Sequence, residues 1–278
     1  RYLSKSTPVV SDGRVYVASW SDLHALDATD GSELWQTERS TVLEERPVTV
    51  AGDQVFAKTY YGLQVFDAAS GTRNFQTTDV GEGYAVPAVV DGTAYVGAGD
   101  RVSAVDAYDG TIEWEVAIDE SLIGETAVTD DTVYVGSSEY IYAVGRKSGE
   151  PKWKLRPGTV EYAPLVVVGD TLYYTTETNE VRAFDTVELT EQWRYEFDSD
   201  VSGPTVSEGR VFCTTTGGDG AARLSDPQIS EARGLLSELA ETISDAEASG
   251  IDVESHRADL ARAQSAFDSR EFERAISL

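Results

Sequence analysis

Five carboxylates, Glu45, Glu82, Glu125, Glu161 and Asp200, each stand just ahead of a short strand-like segment. Gathered on one rim, such groups could hold a cation or a basic peptide segment, because carboxylate oxygens are hard ligands and complement positive charge. An ordinary acid-rich surface gives the same pattern, and the dispersed acidity of the chain favours that plainer reading. Other chemistry has little to work with. The only histidines, His24 and His256, are not in ligand spacing with each other or with a cysteine. Cys213 is the single cysteine, so no disulfide can form within the chain. No glycine-rich phosphate loop opens a helix, and no Gly-x-Ser-x-Gly nucleophile motif occurs. Neither catalytic nor metal-ligating residues are therefore expected.

The elements that must carry the carboxylates come from a repeat. ALDATDGSELW at 25–35 returns as VFDAASGTRNF at 65–75, AVDAYDGTIEW at 104–114, AVGRKSGEPKW at 143–153 and AFDTVELTEQW at 183–193. The closing aromatics Trp35, Phe75, Trp114, Trp153 and Trp193 fall 40, 39, 39 and 40 residues apart. Six segment openings are marked by Pro8, Pro47, Pro87, Thr126, Pro164 and Pro204. Each leads through a Gly- or Asp-containing tight turn into an alternating strand such as RVYVA from Arg14 or TVYVG from Thr132. A third strand then enters the Asp-containing turn, and a fourth carries the aromatic. This period predicts four short strands per repeat, with the aromatics packing one repeat against the next.

The Ala-x-Asp-x-x-x-Gly-x-x-x-Trp pattern is matched at Ala25, Asp27, Gly31 and Trp35 and again at Ala104, Asp106, Gly110 and Trp114. On it the chain resembles the quinoprotein-like β-propeller family, the PQQ-repeat group that includes outer-membrane assembly scaffolds. Gly145 replaces the Asp in the fourth repeat, Leu189 the Gly in the fifth, and Val65 and Phe75 end the second. The resemblance implies an all-β propeller and, in its dehydrogenase branch, pyrroloquinoline quinone bridged by a metal such as Ca²⁺. Those enzymes hold the quinone with carboxylates and an Asn, and stack it between a Trp and a vicinal disulfide. Here the lone Cys213 forbids that disulfide, Asn occurs only at Asn74 and Asn179, and Trp20 is the only Trp outside the repeat position. No cofactor is therefore expected, and PQQ with Ca²⁺ is the alternative.

The expected architecture is six four-stranded blades over residues 1–226. The sixth repeat stops short of its fourth strand, and residues 1–5 resemble the end of such a strand, so the N-terminus is expected to complete the last blade and remove two sheet edges. From Asp226 the composition changes. Asp226-Pro227 reads as a helix start, and Ile229, Ala232, Leu236, Leu239, Ile243 and Ala246 make one apolar seam. A helical hairpin or the start of a helical repeat is expected over 227–278.

With 49 Asp and Glu against 22 Lys and Arg, the formal charge is −27. That charge repels nucleic acid and anionic membrane surfaces, and no apolar run is long enough to span a bilayer. Carboxylates spread through every repeat, with few Lys, match proteins of salt-loving microbes. The chain begins at Arg1 without an initiator Met and ends inside a helical pattern, as expected of a processed or trimmed piece. The reading that follows is a monomeric binding or scaffold propeller, extracellular or at the cell surface, whose partner is an unidentified protein or extended ligand.

Overall fold

The computed structural model describes residues 6–19, 22–37, 47–60, 62–82, 85–137, 139–156, 165–207, 209–215 and 221–225. It also describes seven helical positions: Leu239, Thr242, Ile243, Arg257, Leu260, Ala261 and Arg262. For Ile123, Gly124 and 221–225 the description is of the backbone alone.

The first sheet joins β1 (Val9–Ser11), β2 (Arg14–Ala18), β3 (Leu23–Asp27) and β4 (Glu33–Gln36) in sequence order. A second joins β5 (Thr49–Ala51), β6 (Gln54–Thr59), β7 (Gly62–Asp67) and β8 (Arg73–Thr77) in the same order. The third has six strands: β9 (Ala88–Val90), β10 (Thr93–Asp106), β11 (Ile112–Val128), β12 (Thr132–Ser137), β13 (Ile141–Gly145) and β14 (Pro151–Leu155). The fourth holds β15 (Val166–Val168), β16 (Thr171–Thr175), β17 (Glu180–Asp185) and β18 (Thr190–Glu196). The fifth has three strands, β19 (Thr205–Ser207), β20 (Arg210–Thr214) and β21 (Ala221–Ser225). Contacts divide the chain into two compact units, 1–165 with 174–178, and 166–173 with 179–278.

The turns explain the recurring Asp. Asp27 accepts the Thr29 N–H on its side chain at 2.7 Å, while its backbone carbonyl takes the Gly31 N–H at 2.9 Å. Asp67, Asp106 and Asp185 cap their turns in the same way, through Ser70, Tyr108 and Glu188 among others. In the fourth repeat the turn closes without a carboxylate, by Gly149 N–H to Gly145 C=O at 2.8 Å. The hairpins between first and second strands use left-handed pairs where the sequence offers Asp-Gly: Asp12 and Gly13, Asp91 and Gly92 all have positive φ.

In the first unit the apolar clusters form between successive repeats. One cluster combines Tyr16, Leu23 and Ala25 of the first repeat with Val55, Ala57 and Phe66 of the second. Another combines Phe56, Leu63 and Val65 with Val96, Ala98 and Val105. The aromatics mark these joints but are half-buried. Trp35 stacks obliquely on Tyr16 of its own repeat, 5.9 Å between centroids, and donates Nε1–H to Ala68 C=O of the next at 3.0 Å. Trp114 repeats this with Tyr95 and the Arg146 carbonyl. In the second unit Trp193 packs against Tyr173, and its Nε1 is buried without an acceptor. By strand register Ser225 corresponds to Asp67, so the acceptor corresponding to Ala68 would be Asp226, outside the described residues.

Three of the sheets have the four strands expected of a blade; two do not. The third and fourth repeats share one six-stranded sheet because β11 runs unbroken from the aromatic strand of one into the opening strand of the next. The two repeats join at Leu122, which pairs with Gly99 of β10 and with Ser137 of β12. Thr126, which stands where the other repeats have Pro, keeps its N–H, which donates to Val86 C=O at 3.4 Å, so the strand is not interrupted there as proline would interrupt it. The fifth sheet has three strands, as its truncated sequence implies. Its expected completion by residues 1–5 lies outside the described residues, as does the expected hairpin over 227–278 apart from the helical positions named above.

Candidate binding cleft

Of the five carboxylates singled out by sequence, Glu45 and Glu161 lie outside the described residues. Glu125 stands within β11 rather than in a loop, where burial pushes its carboxyl above the usual range. Asp200 is exposed beyond β18 in the second unit. Glu82 lies in the β8–β9 connection and lines a cleft of about 750 Å³.

The cleft is built from three segments of the first unit: Thr78, Asp79, Gly81 and Glu82 after β8, Gly99 to Arg101 in the middle of β10, and Ile112 and Glu115 on β11. A register shift brings them together. Gly99 pairs with Leu122 but Arg101 with Ala117, so five steps of β11 answer two of β10 and the ladder bends between them. Two glycines then let the β8–β9 connection press on this bend. Gly81 has φ +81°, and a Cβ there would meet the Ala98 carbonyl oxygen at 2.2 Å. Gly99 has φ +60°, and a Cβ would stand 3.1 Å from the Glu82 carbonyl oxygen. Behind this wall Lys58, 2% exposed, donates from Nζ to Thr59 C=O at 2.7 Å and Gly81 C=O at 3.1 Å. Burial lowers its ammonium to about 8, against a smaller opposing pull from Glu82.

The charges of the cleft are unevenly answered. Arg101 donates Nε–H to Asp100 at 3.2 Å and Nη1–H to Glu115 at 3.1 Å, which raises the guanidinium above its usual range. Glu115 also accepts the Ser103 hydroxyl at 3.4 Å. Asp79 and Glu82 form no ion pair among the described residues; Glu82 accepts only the Tyr60 hydroxyl at 3.3 Å. Asp79 and Glu82, outside any ion pair among the described residues, stand beside an Arg101–Asp100–Glu115 trio of one cation and two carboxylates, and this net negative charge suits a ligand that brings its own positive charge. Among the described residues no three His, Cys, Asp or Glu side chains come together as a metal site.

Successive segments of the chain, residues 2–86, 66–155 and 137–230, match the family model described as outer membrane protein assembly factor BamB. The chain belongs to this family. Among solved structures, BamB from Moraxella catarrhalis superposes with a TM-score of 0.59 at 19% identity, over 77% of this chain and 73% of that one. The computationally designed Ika8 protein gives 0.62 at 12% identity, over 80% and 70%. At such identities these likenesses concern the fold, which is the β-propeller fold of PQQ-type repeats.

Curated relatives share shorter stretches with this BamB-family chain. Quinohemoprotein alcohol dehydrogenase ADH IIB of Pseudomonas putida is 34% identical over 134 residues, 40% of this chain and 19% of that protein. Serine/threonine-protein kinase AfsK of Streptomyces coelicolor is 32% identical over 116 residues, 40% and 14%. The chain thus spans under a fifth of either relative.

Sequence reasoning found Glu82 but missed Asp79, Asp100, Arg101 and Glu115. The one local signal was Gly99-Asp100-Arg101, a turn-like tripeptide inside an otherwise alternating run.

Proposed function

We propose that this chain is a non-catalytic binding or scaffold propeller that recognises a protein or other extended ligand, extracellular or at the cell surface of a salt-loving microbe. The observation that carries this reading is the cleft, with Asp79 and Glu82 outside any ion pair among the described residues, on a wall fixed by backbone packing. The ligand class that suits it is a basic extended segment. The family name supports a protein-binding role, and no helix among the described residues is long and apolar enough to cross a membrane. Fluorescence anisotropy with a labelled Lys-Gly-Arg-Gly repeat peptide tests the cleft. Loss of two surface charge pairs predicts about tenfold weaker binding for the Asp79→Asn, Glu82→Gln double variant. Equal affinity would remove the cleft from the reading.

A quinoprotein dehydrogenase is the second reading, favoured by the identity to the Pseudomonas putida enzyme. The residues do not fit it. Cys213 has no second cysteine to pair with, is 2% exposed, and has its thiol pushed up to about 11 by burial. Asn74 is exposed on β8 and Asn179 occupies a turn at φ 61°. Titration with pyrroloquinoline quinone and Ca²⁺, followed by absorbance and dye-linked alcohol oxidation, separates the readings: saturable uptake with turnover would establish the enzyme. The proposed six-blade closure by residues 1–5 is tested by a Leu3→Cys, Arg223→Cys pair, which should cross-link on oxidation if the two segments are neighbours.

A further inference from the structure

The repeat gives every aromatic strand the same frame, so outward positions can be compared directly. One place before the aromatic and one and three places after it, the first repeat has Leu34, Gln36 and Glu38, the second Asn74, Gln76 and Thr78, and the third Glu113, Glu115 and Ala117. The fifth has Gln192, Arg194 and Glu196. The fourth alone has a cation at all three: Lys152, Lys154 and Arg156. With Arg146 and Lys147 this stretch holds five cations and a single acid, Glu150, in a chain of net charge −27. All but the buried Arg146 are exposed.

β14 is the terminal strand of its sheet, so its outer backbone edge pairs with no other strand among the described residues. Lys152 is held by Asp131 and by the Thr132 hydroxyl, both at 2.7 Å, whereas Arg156 reaches only Glu139, 53% exposed, at 2.9 Å. Lys154 has no carboxylate partner among the described residues and rests 4.8 Å from the Tyr140 ring centroid. Exposed pairs of this kind contribute little, so exchanging their carboxylates for those of a ligand costs little.

We infer that the β14 edge is a docking strand for an acidic extended peptide, one that adds as a further strand and sets carboxylates at alternate positions against Lys154 and Arg156, with Lys152 adding positive charge beside them. Alternation follows from the strand period of two: Lys154 on β14 and Arg156 just after it both lie over the Tyr140 ring, whereas the register shift between Pro151 and Trp153 turns Lys152 toward Asp131 and Thr132. Lys on an edge disfavours pairing with neutral strands, which would leave its charge unanswered, and repels basic ones. It leaves an acidic strand as the complementary occupant. This surface is separate from the acidic cleft, and neither reading depends on the other.

The test is isothermal titration with an alternating Glu-Val decapeptide, against a block-sequence peptide of equal composition and against the alternating peptide N-methylated at every second residue. The alternating peptide should bind, and the Lys152→Glu, Lys154→Glu, Arg156→Glu triple variant should weaken it by about a hundredfold. N-methylation should abolish binding, because it removes ladder donors while keeping charge. Circular dichroism and Lys154→Gln alone, expected to cost about threefold, guard against misfolding of the triple variant. Equal binding of the block or N-methylated peptide would overturn strand addition. Retained binding in the triple variant, preferential binding of heparin or anionic vesicles over the peptide, or self-association in sedimentation that the triple variant abolishes would overturn the choice of occupant.

Discussion

The joint between the first two repeats can be tested with two glycines that share a backbone conformation but not a neighbour. Gly31 has φ +74° and Gly71 has φ +71°, so alanine at either must hold a left-handed conformation. That costs about 1–2 kcal/mol, offset by roughly 0.4–1 kcal/mol from the stiffer unfolded chain. These contributions cancel in the difference between the two variants. What remains is space. A Cβ at Gly31 meets nothing within 4 Å, whereas one at Gly71 stands 2.5 Å from Cε3 and 2.7 Å from Cδ2 of Trp35. Relief requires the indole to retreat by roughly 1 Å to an ordinary carbon contact. That retreat strains the Nε1–H bond to Ala68 C=O, 3.0 Å long, in the same turn. Overpacking of this kind costs about 1–3 kcal/mol, so Gly71→Ala should be about 2 kcal/mol less stable than Gly31→Ala. Urea unfolding followed by tryptophan fluorescence gives both values. Agreement between the variants to within about 0.5 kcal/mol would refute the argument that the turn glycine seats the aromatic of the preceding repeat.

Three other outcomes follow from the charged interior. Burial raises Glu125 above its ordinary 4.5, so its contribution is fully present below that pH and is lost as pH rises through the folded value. Glu125→Gln should therefore match the wild type at acid pH and exceed it at neutral pH, a gap read from urea midpoints at both. Lys58 has the opposite sense: its folded value is about 8 against 10.5 unfolded, so the unfolded chain binds more protons between them and wild-type stability rises across that window. In Lys58→Met this rise, on the order of 3 kcal/mol, should be missing from the pH dependence of unfolding. Arg146, with a side chain 9% exposed, pairs with Asp91, whose side chain is 78% exposed, and also donates to Tyr95 Oη at 3.1 Å and Asp130 C=O at 3.3 Å. Asp91→Asn should cost less than about 1 kcal/mol and Arg146→Met about 2 kcal/mol, measured by thermal or urea unfolding.

The repeat was readable because its constraints are local. Asp27 to Trp35 carries its own turn bonds, and an aromatic every 39 or 40 residues must meet the same neighbour each time. Thr126 was readable as the counterpart of the missing proline, but the fused sheet was not, since it depends on Leu122 pairing with both β10 and β12. The cleft was least legible. Gly81 and Gly99 each look like ordinary turn glycines, and only the register shift opposite Leu122 and Ala117 shows that their segments meet. Glu82 was found because it precedes a strand; Arg101 and Glu115 were hidden because they read as routine outward residues of β10 and β11.

The same contrast explains where function is to be sought in a repeat fold. Positions that obey the repeat answer to the backbone: the turn carboxylate, the left-handed glycine and the half-buried aromatic are fixed by bonds that every copy needs. Positions that break it are free of that requirement. Gly145 in place of the turn carboxylate leaves the turn intact, so the adjoining Arg146 is available to cross to Asp91 and Tyr95. Lys152 bonds Asp131 and Thr132, but Lys154 and Arg156 make no bond to the β13–β14 turn among the described residues where the first repeat has Gln36 and Glu38, and they run against a charge balance of 22 cations to 49 acids. In such a chain a cation is a scarcer signal than a carboxylate. The acidic rim could arise from composition alone, whereas the basic β14 edge requires a specific cause, and pairing with an acidic strand is one that its geometry and its charge both satisfy.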